Sequence, residues 1–258
     1  MMPDKSKIAA ILSTVRDHCR TPLEVAASLK KIRAAGYTAV QVSGIGPVEV
    51  RELARILKEE GMTCAATHEP GDRILSDPAA IADRLAALGC DQTAYPYPAG
   101  RDFRTPESVK AFCAELNNAG RVLRERGITL SYHNHAFEFQ RVGGKPVLQV
   151  IAEETDPRWL AMEIDTYWVQ AGGGDPVDWC RRSSGRMPCL HLKDYGIDAA
   201  GKPVFEEIGQ GNLDWKGILR EADKAGVRWY IVEQDSDWEN GDPFLSLQMS
   251  YTFLAGAD

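Results

Sequence analysis

The chain has 258 residues, 44% hydrophobic and 26% charged, and its 37 acidic against 30 basic side chains give a formal net charge of −7. That length can bury a large core, at the size where α/β barrels form one domain, and the acidic balance disfavours a nucleic-acid backbone as partner. No apolar run reaches the roughly 18 residues of a membrane span, and the opening Met1-Met2-Pro3-Asp4-Lys5-Ser6 lacks the apolar core of a signal peptide, so a cytoplasmic protein without a membrane partner is expected.

In chain order one unit recurs. A short apolar strand over 8–12 precedes a helix over 22–35, where Leu23, Ala26, Ala27, Leu29 and Ile32 keep helical spacing and Gly36 stops it. The second unit runs from a strand at 39–42 through Gly44-Ile45-Gly46-Pro47 into a helix over 50–58. The third has a strand at 63–67, the turn His68-Glu69-Pro70-Gly71 and a helix over 78–88. The fourth pairs a strand at 92–95 with a long helix over 106–126. Gly61, Gly89 and Gly127 stop these helices as left-handed caps.

The fifth strand, 128–132, leads into the most informative stretch, Ser131-Tyr132-His133-Asn134-His135-Ala136-Phe137-Glu138-Phe139. After it come a Gly143-Gly144 turn, a helix over 147–154, a sixth strand over 160–165 and a helix opening at Asp175-Pro176. A seventh strand at 189–192, an eighth at 229–232 and a closing helix from Asp242-Pro243 complete the chain. Eight strands alternating with helices over ~250 residues match a (β/α)₈ TIM barrel. An open doubly wound sheet would carry a Gly-rich turn after its first strand, where Ser13-Thr14-Val15-Arg16 stands. No linker interrupts the pattern, so one domain over 1–258 is expected. The six cysteines show no CxxC spacing and read as buried thiols in a reducing compartment.

In such a barrel the C-terminal strand ends meet on one face. The polar residues there are His68 and Glu69, then His133, His135 and Glu138, Asp165, His191 with Lys193 and Asp194, and Glu233 with Asp235; four of the five histidines lie at strand ends. Crowded carboxylates and imidazoles repel and desolvate one another unless a cation holds them, so a divalent metal is expected. Carboxylates with imidazole and no thiolate suit Mn²⁺, which is favoured, or Co²⁺, Mg²⁺ or Zn²⁺. The expected ligands are Glu138, Asp165, His191 and Glu233, one from each of four successive strands, with His133 or His135 as alternatives to Glu138.

Tyr132-His133-Asn134-His135, Phe137-Glu138-Phe139, Asp165-Thr166-Tyr167-Trp168, His191-Leu192-Lys193-Asp194, Gly209-Gln210-Gly211-Asn212-Leu213-Asp214-Trp215 and Val232-Glu233-Gln234-Asp235 together resemble the sugar phosphate isomerase/epimerase superfamily. This is the xylose-isomerase-like TIM barrel, which also holds tagatose-type epimerases, inosose dehydratases and, more distantly, endonuclease IV. The resemblance implies one metal on Asp165, His191 and Glu233. The chain departs from the epimerase pattern in two places, with histidines on the fifth strand where those enzymes carry a glutamate, and Gln210 within what is usually Gly-Glu-Gly. The first departure brings it closer to the keto-inositol dehydratase and keto-glycoside branches. Trp168 stands where endonuclease IV-like sites carry a histidine, which weighs against a trinuclear phosphodiesterase.

The expected chemistry acts on a small carbohydrate through an enediolate: a metal on a carbonyl and a neighbouring hydroxyl acidifies the C–H between them. Return of the proton gives epimerisation or isomerisation, the leading reading, and loss of a β-hydroxyl or alkoxide gives the lyase alternative. Candidate bases are Glu233, Glu138, His133 and His135, with Lys193 steadying a developing oxyanion or simply forming a salt bridge. His68, Tyr167 and Trp168 are expected to meet the substrate. Arg101, Arg104 and Arg141 serve either a phosphate or the surface, and a homo-oligomer is compatible with the sequence.

Overall fold

A computed structural model describes residues 2–256; residues 1, 257 and 258 of the expected domain lie outside the described residues. Eight strands form the barrel: β1 (Ile8–Ile11), β2 (Ala39–Val42), β3 (Thr63–His68), β4 (Gln92–Tyr95), β5 (Thr129–His133), β6 (Leu160–Asp165), β7 (Cys189–Leu192) and β8 (Trp229–Val232). They lie in sequence order around a closed sheet in which every neighbouring pair is parallel, β8 pairing back onto β1. Outside it run α1 (Pro22–Ala34), α2 (Val50–Glu59), α3 (Gly71–Ser76), α4 (Pro78–Leu88), α5 (Pro106–Glu125), α6 (Val147–Glu154), α7 (Thr166–Ala171), α8 (Pro176–Arg182), α9 (Trp215–Ala225) and α10 (Pro243–Leu254). The helices α3, α7 and α9 go beyond the units read from the sequence.

Local chemistry accounts for the helix starts. Thr21 and Glu24 cap α1 reciprocally, Thr105 and Ser108 do the same for α5, and Pro occupies the first turn of both. Gly89 and Gly226 close α4 and α9 in the left-handed conformation. Two short hairpins are added at the mouth, one pairing Arg141–Val142 with Lys145–Pro146 across the Gly143-Gly144 turn, the other pairing Asp194–Ile197 with Pro203–Glu206.

Most of the apolar core lies between strands and helices. A smaller cluster of Ala9, Ile11, Ala39, Ala65, Ala66, Cys189 and Ile231 plugs the barrel's interior. Residues two apart on a strand share a face, so each inward column climbs from this plug toward the mouth. On β2 it passes from Ala39 to Gln41, on β6 from Ala161 through Glu163 to Asp165, on β7 from Cys189 to His191, and on β8 from Ile231 to Glu233. The plug is apolar, and the inward residues of these strands above it are polar. All six cysteines are unpaired and buried. Among the described residues no helix is long and apolar enough to cross a membrane.

Candidate metal centre and its surroundings

The strand register brings the site together. Asp165 on β6 lies beside His191 on β7, and His133 on β5 beside Glu163 on β6. His133, Asp165, His191 and Glu233 each offer a donor atom, all within 4.8 Å of one another, and all four residues are buried. A second set, His68, His133, Glu163 and His191, meets the same criterion one layer lower.

His191 Nδ1 lies 2.8 Å from Glu233 Oε2, whose other oxygen accepts from Ser13 Oγ at 3.2 Å. Asp165 Oδ1 accepts from the Trp168 N–H at 2.9 Å and caps α7, while its Oδ2 is buried without a hydrogen-bond partner. Lys193, 1% exposed, places Nζ 2.9 Å from Asp235, 3.0 Å from Glu233 and 3.3 Å from Asp165. Charge balance follows from this packing. Burial raises the Asp165 carboxyl to about 6 against the opposing pull of Lys193. Burial works against the His191 cation too, yet Glu163 and Glu233 lift it to about 10. Glu233 is pushed up by burial, but Lys193 and His191 outweigh that and hold it well below its ordinary value.

The family model of the xylose isomerase-like TIM barrel matches residues 29–248. The chain belongs to this family. It is 23% identical over 253 residues to the inosose dehydratase of Geobacillus thermodenitrificans, covering 84% of each chain. With the rhizopine catabolism protein MocC of Rhizobium meliloti it shares 25% identity over 91% of this chain and 81% of that one. In fold it is similar to a sugar phosphate isomerase/epimerase from Parabacteroides distasonis, with TM-score 0.85, 21% identity, and 99% and 95% of the two chains covered.

The residues of this xylose isomerase-like barrel fit a divalent ion. Among the described residues one buried Asp165 oxygen makes no hydrogen bond and meets only the Lys193 ammonium at 3.3 Å, and two imidazoles with two carboxylates make a donor set suited to such an ion. Of the ligands expected from sequence, Asp165, His191 and Glu233 come together. Glu138 does not join them: its carboxylate accepts from Tyr132 Oη at 2.7 Å and from the His135 N–H at 2.8 Å, turned into the wall behind the strand. The fifth-strand donor in the group is His133, one residue further along than the expected end of that strand, because β5 extends to 133.

His135 stands at the rim. Its ring stacks on Phe137, with centroids 5.6 Å apart and planes within 10°, and touches Tyr97 and Trp168. Its Nδ1 is buried without a partner, and burial followed by the Lys193 charge pushes the imidazole down to about 4. Trp168 faces both His135 and the Lys193 ammonium. Tyr167 is packed away, stacked on Phe205 at 4.2 Å. His68 sits below the rim, its Nε2 2.6 Å from Glu163 and its ring parallel to that of His191. Asp194 accepts from Gly209, Gly211 and Trp215 and so braces the loop after β7. Glu69 pairs with Arg84.

Beside the rim a cavity of about 530 Å³ is lined by Tyr97, Arg101, Arg104, Phe137 and Gln140. The arginines are engaged elsewhere: Arg101 by Glu115, Arg104 by Asp102, and Arg141 by the Gly144 carbonyl. Two site residues escaped the sequence reading, Gln41 and Glu163. A signal was there, since each is a polar residue inside a buried apolar strand, and Glu163 precedes Asp165 by two on the same face.

Proposed function

We propose that the chain is a divalent-metal-dependent lyase acting on a keto-inositol or keto-sugar, with Mn²⁺ favoured. Its chemistry is removal of the proton beside a carbonyl, then loss of a β-hydroxyl or alkoxide. The observation that carries this reading is the division of labour on β5 and the turn after it: Glu138 is turned into the wall, leaving imidazoles at the mouth. Two of the relatives found by sequence support it, one being named inosose dehydratase and the other a catabolism protein for rhizopine.

His133, Asp165, His191 and Glu233 would hold the ion. When bound, it supplies positive charge that acidifies the C–H beside a substrate carbonyl. His135 then acts as the base. Its low basicity when buried keeps it neutral at pH 7, and stacking on Phe137 gives its ring one orientation. The imidazole takes the carbon proton to leave an enediolate, and the imidazolium so formed returns that proton to the departing oxygen. Lys193 faces the same space as a fixed ammonium and steadies the developing oxyanion. Trp168 and Tyr97 offer aromatic faces to the C–H side of the ring. Arg101, Arg104 and Arg141 each already have a protein partner, which favours an unphosphorylated substrate over a phosphorylated one. The six unpaired cysteines suit a cytoplasmic setting.

A second reading, epimerisation or isomerisation, shares the enediolate. It is supported by Glu233, a second carboxylate set three strands around the barrel from the β5 residues, which could pass a proton to or from another position.

The test is proton exchange in D₂O followed by NMR, using the Mn²⁺-loaded chain against ketoses, ketose phosphates, inosose and 3-keto-glycosides, each repeated after chelation. Metal-dependent loss of water or alkoxide from one class is expected. Deuterium entering an otherwise intact sugar would move the assignment to the second reading, and no exchange from any compound would end both. His135→Asn is expected to lower turnover by about 10²–10⁴-fold while metal content stays unchanged.

A further inference from the structure

His191 can present either ring nitrogen upward, and Glu233 alone does not decide which. The lower layer does. His191 Nε2 lies 2.7 Å from Gln41 Oε1, and the other end of the same amide, Gln41 Nε2, donates to Glu163 Oε1 at 3.0 Å. A carboxylate only accepts, so the amide nitrogen must face Glu163 and the amide oxygen must face His191. It follows that His191 Nε2 carries a proton, so that Nδ1, which donates to Glu233 here, is the nitrogen that would lose its proton to take an ion.

Glu163 extends the same control to the other rings. Its Oε2 accepts from His68 Nε2 at 2.6 Å and lies 3.3 Å from both His191 Nε2 and His133 Nδ1. It is 1% exposed, and the layer beneath it is the apolar plug of Ala9, Ala39, Ala66, Cys189 and Ile231. Both carboxylate oxygens are therefore committed to hydrogen-bond donors, whereas one Asp165 oxygen makes no hydrogen bond among the described residues and only faces the Lys193 ammonium at 3.3 Å.

We propose that Glu163 is the positioning residue of the metal centre: with Gln41 it holds the proton on His191 Nε2, leaving Nδ1 as the nitrogen an ion would take, and anchors the rings of His68 and His133 from below. The inference rests on the metal-dependent reading above for its purpose, and on hydrogen-bond direction for its content. Such outer partners orient a ligating imidazole and raise its basicity.

The experiment compares the wild-type chain with Glu163→Gln and Gln41→Leu, each stripped by chelator and checked for folding by circular dichroism. Co²⁺ is then titrated by visible absorption, Zn²⁺ by calorimetry, and downfield ring N–H protons are recorded with and without Zn²⁺. Glu163→Gln is expected to weaken Co²⁺ and Zn²⁺ binding by about 10–100-fold, shift the Co²⁺ bands and remove the His191 Nε2–H signal. Gln41→Leu should move all three in the same direction, and it carries the test if Glu163→Gln does not fold. Affinities within about twofold of wild type, with ring N–H signals unchanged, would overturn the proposal. So would a wild-type chain binding two ions of which Glu163→Gln loses one, because Glu163 would then be a ligand. A wild-type chain that bound no metal, yet lost its ring signals on Glu163→Gln, would sink the metal-dependent reaction and support the hold of Glu163 on the rings.

Discussion

Glu138 is a buried carboxylate with no cation beside it among the described residues. Burial pushes it from an ordinary 4.5 up to about 7, with the donors Tyr132 and His135 N–H only partly offsetting that rise. Between those two values the folded chain binds a proton that the unfolded chain releases, so stability falls as pH rises from 4.5 through 7. Above that window the full penalty is present, about 3 kcal/mol for a shift of this size. Glu138→Gln keeps an acceptor for the His135 N–H and removes the charge. Relative to wild type, the variant should gain about 1–3 kcal/mol more at pH 8 than at pH 5, measured by urea unfolding at both. An equal difference at the two pH values would mean that Glu138 is ionised throughout or already neutral. His135 has the opposite sign. Its depressed value makes it lose stability as pH falls from 6.5 toward 4, which the comparison between variants cancels.

Helix α5 shows how an element's position is set by what it lacks. A Cβ on Gly120 would come within 2.1 Å of the Trp159 carbonyl oxygen, just before β6, so the helix sits close against the backbone that leads into Glu163 and Asp165. Gly120→Ala must separate the two backbones, and a loss of about 1–3 kcal/mol is expected despite the better helix propensity of alanine. Urea unfolding measures it, and a variant as stable as wild type would show that α5 has room to shift. Contacts of this kind are invisible in the sequence, where Gly120 reads as one small residue in a helical pattern. The eight strands and most helices were legible because alternation, Pro starts and Gly stops are local signals. The short α3 and α7 follow directly on strand ends and carry too few turns for a period to show, although Asp165, singled out as a ligand, also caps α7. Within the site, Asp165, His191 and Glu233 were legible as polar residues at strand ends. Gln41 and Glu163 were not, because their meaning depends on which layer of the barrel they occupy. Glu138 was drawn into the ligand set by proximity in sequence, while the direction of its side chain was decided by Tyr132 and the His135 N–H.

Across the whole molecule, the four donors His133, Asp165, His191 and Glu233 come from four adjacent strands, β5 to β8. An ion held there would tie half of the barrel wall together at its open end. Without it, the buried Asp165 carboxyl is lifted to about 6, and Lys193 is the main countercharge. Binding only to the folded chain stabilises it by about 2.7 kcal/mol at a hundred times Kd, which for a chain of this size raises Tm by roughly 5–10 °C. Asp165→Asn separates the two effects. Above pH 6 it removes a buried charge that the fold carries at a cost, so the metal-free variant should melt higher than metal-free wild type. It also removes a donor, so the rise on adding Mn²⁺ should vanish. Differential scanning calorimetry at pH 7.5, with chelator and then with excess Mn²⁺, reads both. A variant that keeps the full Mn²⁺ shift would place the ion elsewhere, on the lower set around Glu163, whereas one that loses the shift and gains metal-free stability would mark Asp165 as a residue kept for binding at the expense of the fold.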